Sequence, residues 1–157
     1  MNIELIAVGK TDMEEVASLV AMYARRINFY CKFSITTLPD VRNTRKLTTR
    51  QQCTLEGEAI LRQISEGDYV VLLDEHGSEM RSLEFAEWIQ KRMNSGIRRL
   101  VIVIGGPYGF SDDVHARANA KLSLSRMTFS HQIVRAIFTE QLYRAFAILN
   151  NDPYHHE

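Results

Sequence analysis

Val101-Ile102-Val103-Ile104-Gly105-Gly106-Pro107-Tyr108-Gly109-Phe110 is the stretch on which the reading of this chain turns. Four consecutive β-branched apolar residues predict a strand buried on both faces, as in the interior of a parallel sheet. The glycines then arrive together and stop the strand. Ser111-Asp112-Asp113 follows as a helix start whose side-chain oxygens can cap free amides. A strand that ends on a glycine turn at its carboxyl end is where open α/β sheets hold ligands, because a side chain there would keep the backbone from whatever is bound. A tight strand-to-helix turn without a ligand is the plainer reading of the same residues. The spacing G-G-x-x-G departs from the dinucleotide fingerprint, and no phosphate-loop lysine accompanies it.

Carboxyl to this stretch, a short helix over 112–118 leads to a three-residue strand, Leu122-Ser123-Leu124. A loop over 125–130 precedes a last helix over 131–149, and 150–157 form a tail. In the last helix Ile133, Val134, Ile137, Phe138, Leu142, Phe146, Ile148 and Leu149, placed at ~100° per residue, leave no continuous polar face. The sheet of so small a domain covers one side of such a helix, so the pattern points to a partner subunit. A helix central to its own chain is the alternative.

Amino to it, residues 2–8 and 33–38 read as strands, and Gly9 and Pro39-Asp40 stop them. Between them a helix from Asp12 carries Val16, Leu19, Val20, Tyr23 and Ile27 on one face. The basic segment 41–47 has no apolar period and is expected as an exposed loop. Thr48 or Thr49 caps a second helix to about residue 64, with Cys53, Ile60, Leu61 and Ile64 inward and Gly67 closing it. Residues 69–73 form a third strand, followed at its carboxyl end by Asp74-Glu75-His76-Gly77. Ser82 caps a helix to residue 93 that buries Leu83, Ala86, Ile89 and Met93. Strands alternating with helices give an α/β domain with a mainly parallel sheet flanked by helices.

At 157 residues the chain is expected to be a single domain over 1–157, with 45% apolar and 24% charged residues, ordinary for a globular protein. No apolar run approaches the ~20 residues of a membrane span and no signal pattern opens the chain, so no membrane partner and a cytoplasmic location are expected. Cys31 and Cys53 have no metal or redox spacing and read as buried free thiols. Metal binding is not expected, since no histidine pair has the i, i+4 spacing or a cysteine partner. The formal charge is zero, but Arg42, Arg45, Lys46 and Arg50 fall within ten residues that contain no acid. Between 114 and 149, Arg117, Lys121, Arg126, Arg135 and Arg144 face Glu140 alone. Such runs are commonly solvated faces; their functional meaning is a polyanion contacted in a defined place.

The glycine turn, the loop over 124–129 and the end of strand three at Leu73-Asp74 all fall at carboxyl ends of strands, so they can converge on one pocket. No nucleophile elbow appears, which argues against acyl transfer.

Several ordered motifs carry a resemblance. They are Leu73-Asp74 after an apolar strand, Ile104-Gly105-Gly106-Pro107-Tyr108-Gly109, the run 122–129, His131-Gln132-x-x-Arg135, Glu140-Gln141-Leu142-Tyr143-Arg144-Ala145 and the terminal Pro153-Tyr154-His155. Together with Ala7-Val8-Gly9-Lys10 they resemble the ribosomal RNA large subunit methyltransferase H family, the smallest of the knotted SPOUT methyltransferases. The resemblance implies a C-terminal trefoil knot in roughly 100–157, against the ordinary rule of unknotted connections. It implies S-adenosylmethionine as cofactor, held by Leu73, Gly105, Leu124, Ser125, Arg126, Met127, Thr128 and Phe129. It implies a homodimer acting on assembled ribosomes, methylating N3 of a pseudouridine in a stem-loop of 23S large-subunit RNA. Tyr108 stands where many relatives have other residues, and His156 where a basic residue is common.

Transfer to N3 requires loss of a proton whose pKa is well above neutral, so a general base or positioning group is expected. His155 or Tyr154 is the candidate, with Arg135 and His131 holding the base or a phosphate. Two other classes use the same crevice: a flavodoxin-like binding module with Asp74 as an acidic site, and a non-catalytic ribosome-associated factor.

Overall fold

The computed structural model describes residues 1–156. Five strands form one sheet: β1 (Asn2–Val8), β2 (Phe33–Leu38), β3 (Tyr69–Glu79), β4 (Arg99–Ile104) and β5 (Ala120–Ser123). Their order is β2-β1-β4-β3-β5, and every neighbouring pair is parallel. The stretch that opened the sequence reading is therefore the middle strand. Leu100, Val101, Ile102 and Val103 have no exposure at all, which is why an unbroken apolar run is needed there. A flavodoxin-like module would run 2-1-3-4-5. Here β4 turns back to insert between β1 and β3, and β5 passes beyond β3 to the edge.

Helices cover both faces. Alternate residues of each strand feed two cores. Leu100, Ile102 and Ile104 face α1 (Glu14–Ile27), α3 (Ser82–Asn94) and α5 (Ile133–Leu149), while Val101 and Val103 face α2 (Thr49–Leu61) and α4 (Asp112–Arg117). α5 lies between α1 and α3, so its own chain covers it on three sides, with Phe138, Leu142 and Phe146 buried. That arrangement accounts for most of its all-round apolar character. Ile133 stays 37% exposed, and Val134 and Ile137 are half-buried.

Local expectations shift in places. Thr48 caps α2 by accepting from the Gln51 amide, and Gln51 accepts in return from the Thr48 amide. α2 ends at Leu61, short of 64, and buries Glu56 and Gly57 as well as Cys53 and Ile60. The cap of the third helix falls one position earlier than expected, at Arg81, whose amide donates to Glu84 at 2.7 Å. Its inward face is Phe85, Ala86 and Ile89, and Leu83 and Met93 are exposed, because the Phe85 ring occupies the core position. Leu19 on α1 is likewise exposed. The basic segment contains a single 3-10 turn, Thr44–Lys46.

Candidate functional site

β3 is longer than expected, and the extra length builds a wall of the site. Leu73 and Ser78 both pair with Leu122 of β5, so residues 74–77 leave the ladder as an irregularity and return. Gly77 makes the return possible. A Cβ there would stand 2.7 Å from the Leu122 backbone, so only glycine lets the two strands meet again. The excursion places Asp74, Glu75 and His76 on the rim of a cavity of about 720 Å³.

The glycine turn forms the second wall. Gly106 and Gly109 pair in an isolated bridge, the Gly109 amide donating to the Gly106 carbonyl at 3.2 Å, and Gly109 adopts φ +81°. α2 supports the turn from behind. Cys53 Sγ lies 3.5 Å from the Tyr108 carbonyl, Glu56 packs under Gly106, and Gly57 leaves room for Ser111. Ser111 in turn caps α4 by accepting from the Val114 amide. A Cβ on Gly105 would meet the Phe110 ring at 3.0 Å, so that glycine is demanded by the turn's own packing.

The third wall is the loop between β5 and α5. Ser123 Oγ donates to the Ser125 carbonyl at 3.0 Å, and Ser125 Oγ accepts from the Met127 amide at 2.9 Å. Thr128 Oγ1 reaches Glu75 at 3.3 Å, closing this loop against the β3 excursion. Ser130 Oγ accepts from the Ile133 amide at the start of α5.

Leu73, Gly105, Leu124, Met127, Thr128 and Phe129 all border the cavity, joined by Phe110, Leu122 and Val134. Ser125 and Arg126 do not. Ser125 shapes the loop from within, and Arg126 points outward to Glu79 at 2.9 Å. Burial alone would raise the Asp74 carboxyl pKa. The His76 amide at 2.9 Å, its ring at 3.2 Å, and the charges of His76 and His115 outweigh burial and hold it below the usual carboxylate range. The cavity thus combines apolar walls, backbone groups and an ionised carboxylate. That chemistry suits an organic cation with a flat ring.

Arg135, expected to hold a base or a phosphate, does not line this cavity. It is 2% exposed, and its guanidinium donates to the carbonyls of Val8, Gly9 and His131 and to Thr11 Oγ1, at 2.8–2.9 Å. It ties the end of β1 to α5. His131 does border the cavity.

The tail lies outside the lining of its own chain's cavity. Instead it folds back along α5. Tyr154 donates to Glu140 at 3.1 Å, pairs with the Tyr23 hydroxyl at 3.2 Å and meets the Tyr143 ring edge-on at 4.7 Å. Tyr30 hydrogen-bonds Asp152, which pushes the Tyr30 pKa up to about 12. Burial, then the bonds to Tyr23 and Glu140, raise the Tyr154 pKa, so its phenol stays protonated and no phenolate is available to take a proton. His155 accepts from Arg144 through Nδ1 at 3.2 Å, which leaves the proton on Nε2, a buried atom with no hydrogen-bond partner among the described residues. The tail is therefore docked along α5. Glu56 and Gly77 were missed; a glycine just before a strand resumes was the available signal for Gly77.

Among the described residues no helix is long and apolar enough to cross a membrane, and no cluster of three or more His, Cys, Asp or Glu is placed to hold a metal. Residues 1–155 match the family described as predicted SPOUT methyltransferase. The chain is 54% identical over 156 residues, 99% of both chains, to a Christiangramia forsetii protein named ribosomal RNA large subunit methyltransferase H. It is 52% identical over 157 residues, the whole of both chains, to a protein of the same name from Flavobacterium johnsoniae. Among solved structures it is similar to a SpoU methyltransferase of Streptomyces viridochromogenes in complex with AdoMet, at 9% identity and a TM-score of 0.45, over 96% of this chain and 61% of that one. Through nearly its whole length the chain belongs to the SPOUT methyltransferases, and among them to the ribosomal RNA large subunit methyltransferase H family.

Proposed function

We propose that this protein is an S-adenosylmethionine-dependent methyltransferase acting on N3 of a pseudouridine in large-subunit ribosomal RNA. The observation that carries the reading is the match to the Christiangramia forsetii relative across 99% of both chains, which takes in all three walls of the cavity. The whole chain, 1–157, is read as one methyltransferase domain, its C-terminal third as the knotted half, and the cytoplasm, where ribosomes work, as its place.

The cavity fits the cofactor. Its size lies within the usual range for small-ligand sites, and Gly105 and Gly106 expose backbone to it. Leu73, Leu124, Met127 and Phe129 supply apolar walls, and Asp74 supplies a negative charge toward a cationic ligand. When bound, S-adenosylmethionine supplies a methyl group on a sulfonium, already a good leaving group. What remains for the protein is to align the target nitrogen, exclude water and assist loss of the N3 proton.

His155 is the group proposed to handle that proton or place the base, because its Nε2–H has no hydrogen-bond partner among the described residues. It does not border its own cavity, so it acts through a second copy. Ile133 on α5 and Leu83 on α3 are both 37% exposed, and Ser82 hydrogen-bonds Gln141, so these two joined helices offer partly apolar surface for a homodimer. In this arrangement each tail completes the other subunit's site.

The test compares the full chain with one ending at Asp152, on large ribosomal subunits lacking the modification. Full-length protein should transfer one methyl group per subunit. The shortened chain should bind S-adenosylmethionine within a few-fold of it and transfer orders of magnitude more slowly. Full transfer without the tail would remove His155 from the chemistry, and no transfer by either would remove the assigned reaction.

A further inference from the structure

Two stretches at the carboxyl edge of the sheet differ in charge. Asp74 and Glu75 border the cavity on the β3 side. Across the glycine turn, the segment 42–50 follows β2 and enters α2, carrying Arg42, Arg45, Lys46 and Arg50, all exposed. None of these four side chains has a hydrogen bond or ion pair among the described residues, although this chain pairs its arginines elsewhere, as at Arg99 and Arg144. The segment reaches the turn at its carboxyl end, where Thr49 and Arg50 share a second depression of about 490 Å³ with Phe110, and the helix it enters contacts the Tyr108 carbonyl through Cys53.

Tyr108 projects from that turn into the mouth of the cofactor cavity. Its backbone is pinned by Cys53 and by the Gly106–Gly109 bridge, yet its side chain is 57% exposed. The ring has no aromatic or cationic neighbour and its hydroxyl no hydrogen bond among the described residues. A rigidly mounted aromatic with an open face is a stacking platform for an unpaired base, and free cations beside it are a track for phosphates.

We infer that residues 42–50 and Tyr108 form the RNA-docking surface of this site, with phosphates on Arg42, Arg45 and Lys46 and an unpaired base on the Tyr108 ring. The inference rests on the methyltransferase reading and adds the path by which RNA reaches the cavity. Arg50 stands with Asp112 and Asp113 around the second depression, so the backbone passes on the Arg42–Lys46 side, away from those carboxylates.

Two measurements test it. Binding of the full-length protein to large ribosomal subunits is followed through a salt series, beside a triple variant carrying Arg42→Ala, Arg45→Ala and Lys46→Ala. The slope of log affinity against log salt should become shallower by about two to three, and S-adenosylmethionine affinity should hold. An unchanged slope overturns the phosphate contacts, and weaker binding with an unchanged slope gives the segment to an uncharged protein surface and overturns them as well. Tyr108→Ala should lower kcat/KM for subunits about tenfold or more with cofactor affinity intact, and Tyr108→Phe should restore it. A normal kcat/KM in Tyr108→Ala, or a parallel loss of cofactor affinity, overturns the stacking role. Wild-type protein that binds subunits without transferring a methyl group overturns the methyltransferase reading and the stacking role together. Normal transfer with unaffected variants overturns this inference alone.

Discussion

A methyl group added to Gly106 would stand 2.4 Å from Oε2 of Glu56. Glu56 is 4% exposed, and that oxygen has no hydrogen-bond partner among the described residues, although Oε1 accepts from Gln52 at 3.0 Å. The ligand turn and α2 are thus fitted to each other through a glycine and a carboxylate fifty residues apart in the chain.

Gly106→Ala should therefore cost about 2 kcal/mol of stability, because the added methyl must displace the buried Glu56 carboxylate. Cofactor affinity should fall with it as the turn shifts. Adding Glu56→Ala opens the space and should recover much of both. Urea denaturation and calorimetric titration of the two single variants and the double give the coupling; strictly additive effects would show that the two residues do not meet.

Glu56 also predicts a pH dependence. Burial raises its pKa, the Gln52 hydrogen bond opposes this, and the charge of Asp40 adds to it, with a net rise. A carboxyl group whose folded pKa lies above its unfolded value binds more protons folded than unfolded between the two. Its contribution to stability is fully present below the unfolded pKa and is lost as pH rises through the folded one. Glu56→Gln should abolish that decline while keeping the acceptor for Gln52. Thermal unfolding at pH 5 and pH 8 should show wild-type protein losing more than the variant on going to pH 8.

Gly77 carries no positive φ, so its requirement is one of space. Gly77→Ala should push β3 from β5 at Leu122 and destabilise the protein by about 2–3 kcal/mol. The excursion bearing Asp74 should shift with it, so cofactor affinity should drop even below the unfolding temperature. Unchanged affinity in the folded variant would mean that the wall does not depend on this crossing.

Arg135→Ala should remove a charge-bearing tie and leave the Val8 and Gly9 carbonyls unpaired, costing about 3 kcal/mol. Arg135→Lys should regain only part, since an ammonium cannot span acceptors set for a planar fork. Denaturation midpoints would check both. A stable Arg135→Ala protein that has lost only RNA transfer would return this residue to the substrate.

The legible features were those written in short-range pattern. Residues 2–8, 33–38 and 100–104 announced strands through runs of apolar and β-branched residues, and Gly105-Gly106 announced the turn. The inward face of α3 was misplaced because Leu83 and Phe85 compete for the core within one turn, and only packing against Phe138 and Trp88 resolves which wins. Arg135 looked like a substrate ligand because an arginine carries no local mark of its acceptors, which here lie 126 and 127 residues earlier.

By itself the sequence determined the alternation of strands and helices, the site of the ligand turn and the family, since each depends on residue type at fixed spacing. Tertiary structure alone decided that β4 lies between β1 and β3, that residues 74–77 leave the ladder, that Arg135 serves the fold and that the tail turns away from its own cavity. Those outcomes depend on which distant segments share a buried boundary. Local propensity cannot encode that choice, because a strand or an arginine is equally satisfied by many partners until the packed chain leaves only one within reach.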